Sequence, residues 1–199
     1  MTFSLEPASP AHRLYLNQLA YYLRHSRQIL AAWDHYSQRH SDPDTFQPHD
    51  EDAYGLRQQK RDADTLSAFG RVYYHADELV HVAERQLAQL SPTARTRRYA
   101  WQARELRDAT QGLYAVRNDW LAVEAALPES ARPGTAAYEE PLAESYAEAW
   151  SYLDQWAVHG QALFAVHALA QRNSTAHPST LAATGPVHQA AAAPSRARR

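Results

Sequence analysis

Three side chains in the stretch YYHADELVHVAE, residues 73–84, have the types and spacing that can hold a metal ion: His75, Glu78 and His81 recur at steps of three. On a helix such steps put neighbours on adjacent turns, so Glu78-Leu-Val-His81 can offer an oxygen and a nitrogen to one divalent cation. Asp77, His81 and Glu84 make a second set, lying on one flank within roughly 60° of each other on a helical wheel. That set is the better metal-ligand candidate and needs one more ligand from a neighbouring helix. The chain has no cysteine, which excludes thiolate ligands, thiol nucleophiles and disulfides. No other cofactor is expected.

Other chemistry lies elsewhere. His167 falls on an apolar helical stripe, four residues after Leu163, with His159 two turns earlier and to one side. A buried imidazole must hydrogen-bond, and burial lowers its pKa, so His167 is the candidate buried polar residue, bonded to a tyrosine hydroxyl or a carboxylate of a facing helix. The stretch SPTARTRRYAWQARELR brings Arg97, Trp101 and Arg104 toward one outer face, with Arg95, Arg98 and Arg107 adding charge. Basic residues interleaved with an aromatic ring can hold a protein partner or grip phosphates and stack bases, so nucleic acid is a second class of partner for this surface. Arg172-Asn173-Ser174-Thr175-Ala176-His177 resembles the R-N-x-x-x-H element of the HEPN superfamily of all-helical ribonucleases and toxin-related proteins. The resemblance covers these six residues and implies RNA cleavage that depends on His177.

The elements that must position these groups are marked by proline. Pro10, Pro43, Pro48, Pro92, Pro128, Pro133 and Pro141 leave four long proline-free segments, 11–42, 49–91, 93–127 and 142–177. Proline inside a helix costs about 3 kcal/mol, so its absence from these stretches fits uninterrupted helices. Each segment carries apolar residues at alternating steps of three and four: Tyr15, Leu19, Tyr22, Ile29, Trp33 and Tyr36 in the first; Leu66, Phe69, Tyr73, Ala76, Val80, Ala83, Leu87 and Leu90 in the second. Leu106, Ala109, Leu113, Val116, Trp120, Val123 and Leu127 form the third stripe, and Leu142, Tyr146, Ala149, Leu153, Trp156, Gly160 and Leu163 the fourth. This predicts an all-α fold, four long helices in an up-down antiparallel bundle, with Ser91 as the N-cap of the third. On the second wheel Glu78 lies roughly 175° from the stripe, and His75 and His81 roughly 115° and 125° away on opposite sides. The trio therefore straddles the outer face, and a metal there would sit at an interface rather than in a bundle core.

Residues 50–65 are too polar to bury much and read as an exposed or frayed helical extension. Residues 1–173 form one domain; residues 174–199 carry Ala, Pro, Ser and Thr without a periodic face, end in three arginines, and read as a disordered tail. The net charge is -2, from 20 basic and 22 acidic residues, which favours no class of partner for the chain as a whole. With no basic, apolar leader and no apolar run of about 20 residues, neither secretion nor a membrane is expected and the cytoplasm is the default. No coherent catalytic set emerges. The expected function is a non-enzymatic helical bundle acting through protein contacts, as a homo-oligomer or accessory subunit, with metal or nucleic-acid binding as the alternative.

Overall fold

The computed structural model describes residues 9–176. Six helices follow one another: α1 Pro10–His40, α2 Glu51–Tyr73, α3 Ala76–Ala88, α4 Ala94–Ala126, α5 Ala136–His159 and α6 Gln161–Ala176. Among the described residues there is no strand, only an isolated bridge between Ser41 and Pro48, and no helix is long and apolar enough to cross a membrane. Over the described residues the fold is all-α, with six helices where the prolines mark four segments.

Segments one and three are continuous as α1 and α4, whereas the second and fourth each break once, and neither break is at a proline. At Tyr74–His75 the backbone pairing tightens: His75 N–H donates to Val72 O at 2.9 Å, and the next ladder begins with Leu79 N–H on His75 O at 2.9 Å. His75 leaves helical geometry (φ -124°, ψ 5°), and its ring stacks on Tyr15 of α1 with centroids 3.8 Å apart. An unbroken helix would have turned this ring toward solvent. The second break is at Gly160, where α1 presses on the elbow between α5 and α6. A Cβ there would lie 2.6 Å from Trp156 O and 3.2 Å from Leu23 Cδ2, so only glycine admits this approach.

The helix starts also differ from the proline punctuation. The N-cap of α4 is Thr93, two residues past Ser91: Thr93 Oγ1 accepts from Thr96 N–H at 3.1 Å, while Thr96 Oγ1 accepts from Thr93 N–H at 2.8 Å. This reciprocal pair satisfies two donors at once, which a lone Ser91 could not. Helix α5 starts at Ala136 and carries Pro141 inside it as its sixth residue, so the ladder bond that position would donate to Ala137 O is missing. At the other end of α4, Val123 is exposed despite its place in the stripe, because the helix outruns the core.

The polar stretch 50–65 is helical from Glu51 onward and takes part in the core. Asp62 is 1% exposed and Thr65 is also buried. Arg61 makes this possible. Its Nε donates to Asp62 Oδ1 at 2.7 Å, and its guanidinium lies 4.6 Å from the Trp33 ring centroid and 3.8 Å from that of Trp150. Burial pushes the Asp62 carboxyl up, and the bond from Arg61 pulls it back. The cation is thus sandwiched between two indoles from α1 and α5, which supplies what the polar sequence lacks in apolar area.

Helix α1 packs on α2, α2 on α5 and α5 on α4, while α3 packs on α4 and α6. The centre of the first group is a layer of three buried rings: Tyr22 meets Phe69 edge-on at 4.9 Å, and Phe69 meets Trp156 at 5.2 Å. Tyr22 Oη donates to Leu153 O at 2.7 Å, tying α1 to α5.

Candidate functional site

The connection between α1 and α2 is short of apolar residues but rich in local hydrogen bonds. Asp42 Oδ1 accepts from Asp44 N–H at 2.9 Å, Thr45 N–H at 2.8 Å and Thr45 Oγ1 at 3.0 Å. These donors, the Thr45 N–H foremost, hold the Asp42 carboxyl below its ordinary value. Main-chain bonds close the loop at three further points: Asp42 N–H to Gln47 O, Phe46 N–H to Asp42 O, and His49 N–H to His40 O, all at 2.8 or 2.9 Å. The braced turn carries Phe46 at its tip, with φ 57° and 81% of its surface exposed. Phe46 is the one non-glycine residue with positive φ among those described. A left-handed conformation costs an L-residue about 1–2 kcal/mol, and the exposed ring gains nothing from burial to offset it. Asp42, Asp44, Asp50, Glu51 and Asp52 lie within six residues of Phe46 along the chain and make this segment acidic.

A groove of opposite character lies between α3 and α4. Leu87, Leu90 and Pro92 supply its apolar wall, and Arg97 and Arg104 its rim. Glu84 also lines it, but Glu84 is paired with Arg107, so the free charge of the groove is positive. Of the three residues singled out for a partner surface, the fold thus brings Arg97 and Arg104 together. Trp101 faces away from them: it is 47% exposed and meets His159 of α5 edge-on at 5.0 Å. Arg95 and Arg98 line a separate groove with Gln161 and Ala165 of α6.

The candidate metal ligands remain apart. Glu78 and His81 are exposed on α3, as the wheel requires. Asp77 is exposed too, and Glu84 is taken by Arg107. Among the described residues, no three His, Cys, Asp or Glu side chains form a group that could hold a metal ion.

His167 is half-buried on α6, and its company differs from the tyrosine or carboxylate expected. The Gln86 amide of α3 lies 3.3 Å from its Nδ1, and the Gln171 amide 2.8 Å from its Nε2. An amide can present either N–H or oxygen, so the two glutamines satisfy a neutral ring. Burial lowers the His167 pKa. Its ring centroid is 5.2 Å from that of His12, a buried residue of α1 whose Nδ1 has no partner among the described residues. The His12 pKa is also lowered, first by burial and then by His167, with Glu78 raising it and Arg85 lowering it. His12 was missed in the sequence, although His12, Leu16, Leu19, Leu23 and Ser26 follow the same steps of four and three as the core. In the R-N-x-x-x-H stretch, Arg172 is exposed on the last turns of α6, and His177 lies outside the described residues, as does the tail that follows it.

No protein-family model matches this chain, and neither the curated proteins nor the solved structures contain a significant match to it.

Proposed function

We propose that this chain is a non-enzymatic helical protein that acts through protein contacts, self-associating in the cytoplasm, with its four proline-bounded segments arranged as an up-down antiparallel bundle. The observation that supports this is Phe46: an apolar ring, displayed at a conformational cost, on a loop stiffened by its own hydrogen bonds. Strain held in place by surrounding structure is a mark of use. The occupant we infer for the α3–α4 groove is the Phe46 loop of a second copy, since an acidic apolar tip complements an apolar wall rimmed by Arg97 and Arg104. In an up-down bundle the α1–α2 and α3–α4 connections lie at opposite ends. Two copies lying antiparallel then set each tip on the other's groove and close as a two-fold dimer.

Sedimentation of the full chain between about 1 and 200 μM tests this. The expected result is a concentration-dependent dimer that Phe46→Ser and Arg97→Glu/Arg104→Glu each reduce to monomer. Adding Asp44→Arg to the double glutamate variant is expected to recover part of the association. A wild-type monomer at the highest concentration, or a dimer indifferent to Phe46→Ser, rejects the reading.

Nucleic-acid binding is a second reading, favoured by one observation: Arg95, Arg97, Arg98 and Arg104 make no ion pair among the described residues. It requires salt-sensitive binding of RNA or DNA that weakens with Arg97→Ala and Arg104→Ala.

A further inference from the structure

A cavity of about 280 Å³ opens between α2, α4 and α5, away from both the Phe46 loop and the α3–α4 groove. Its size is just below the roughly 300–1,000 Å³ of small-molecule sites, so it suits a small ligand. Tyr73, Trp120 and Tyr146 line it with partly exposed rings, beside the fully buried Phe69. Two of these rings are held from behind: Tyr73 meets Tyr114 edge-on at 5.1 Å, and Trp120 meets Tyr138 edge-on at 5.5 Å. The wall is therefore set before any ligand arrives, which lowers the ordering cost of binding.

Gly70 of α2 also lines the space. A Cβ at Gly70 would meet nothing within 4 Å, so packing within the described chain does not call for glycine there. Inside a helix glycine costs about 1 kcal/mol relative to alanine. What its missing side chain does is keep one wall of the cavity flat and open.

The cavity has one cation. The Arg117 guanidinium lies 5.6 Å from the Tyr73 ring centroid, is exposed, and makes no ion pair among the described residues. Two carboxylates act on rings of the wall, Glu139 on Tyr146 and Asp77 on Tyr73. Glu139 accepts from Gly134 N–H at 2.8 Å. The Tyr114 hydroxyl donates to Tyr73 O at 3.5 Å, and burial first and then Asp77 push it up to about 12. An arginine without a carboxylate, at the mouth of an aromatic cavity, can take an acid head group while the rings take a flat apolar body.

We propose that this cavity binds a planar aromatic carboxylate of about two fused rings, the rings lying among Tyr73, Trp120 and Tyr146 and the carboxylate on Arg117. Binding here is independent of self-association through Phe46, because the two use no residue in common. Calorimetric titration of the full chain with 2-naphthoate, and with its neutral amide, tests the assignment. We expect one 2-naphthoate per chain and about tenfold weaker binding of the amide. Arg117→Gln is expected to cost the acid about tenfold and to abolish its advantage over the amide. Gly70→Leu is expected to block both compounds. Arg117 is exposed, so its variant reads binding rather than folding, and circular dichroism checks that the Gly70 variant is folded. No binding of 2-naphthoate at millimolar concentration, equal affinity for acid and amide, or unchanged binding by folded Gly70→Leu each overturns the proposal.

Discussion

Two buried rings on α1, about three turns apart, sit in contrasting layers. Tyr22 lies with Phe69 and Trp156, and its hydroxyl is bonded to Leu153 O. Burial, and then Asp154, push that hydroxyl far above the ordinary tyrosine range, so it does not ionise. His12 lies with His167, near Glu78 and Arg85, in the layer formed by α1, α3 and α6. Both layers contain a buried nitrogen without a partner among the described residues, Trp156 Nε1 in one and His12 Nδ1 in the other. Only the imidazole can acquire a proton as pH falls. The same kind of flaw is therefore a fixed cost in the aromatic layer and a pH-dependent one in the histidine layer.

Four experiments sharpen or break that contrast. The largest effect is expected from Trp156→Ala, which empties the centre of the aromatic layer and should cost about 3–5 kcal/mol in urea unfolding. That loss should not change between pH 5.5 and 8, and a pH-dependent loss would merge the two layers. Gly160→Ala forces a Cβ against Trp156 O and Leu23, beneath the same layer, and is expected to cost about 1–3 kcal/mol; a neutral result would mean that the elbow relaxes freely. Tyr22→Phe removes only the hydroxyl that reaches Leu153 O, for an expected loss of about 1 kcal/mol.

The smallest effect at neutral pH concerns the histidines, which are then already uncharged. Both have folded pKa values below the ordinary 6.5, so below that pH the unfolded chain binds more protons. Stability should be full above about 6.5 and fall as pH drops through the folded values. Asp62 has the opposite sign: its carboxyl is raised by burial, so its contribution is lost as pH rises through its folded value. The comparison to make is therefore wild type against His12→Leu/His167→Gln, with thermal unfolding followed from pH 7.5 to 5.0. The double variant should lose less stability on acidification than wild type, and parallel curves would remove the distinction between the layers.

Much of the helical frame was legible because proline positions and apolar steps are local signals. Phe69, Leu106, Leu153 and Trp156 are all buried where the stripes put them. The break at Tyr74–His75 was not legible, since no glycine or proline marks it and the ring stacked on His75 there, Tyr15, is distant in sequence. Gly160 was visible but read as one more small core residue; the Trp156 carbonyl that demands it faces the residue only once the chain turns at the elbow, with α1 packed close by. Asp62 and Arg61 read as surface because their burial depends on Trp33 and Trp150, brought from two other helices. The groove residues Arg97 and Arg104 were legible as a pair seven apart. Phe46 was not, because a left-handed phenylalanine between Pro43 and Pro48 follows from the hydrogen bonds around Asp42 rather than from its own preference.

The conformation of Phe46 also bears on how this chain would respond to selection. Glycine at that position would relieve the left-handed backbone. A screen for heat resistance alone should therefore enrich Phe46→Gly, and the self-association proposed above requires those winners to be monomers.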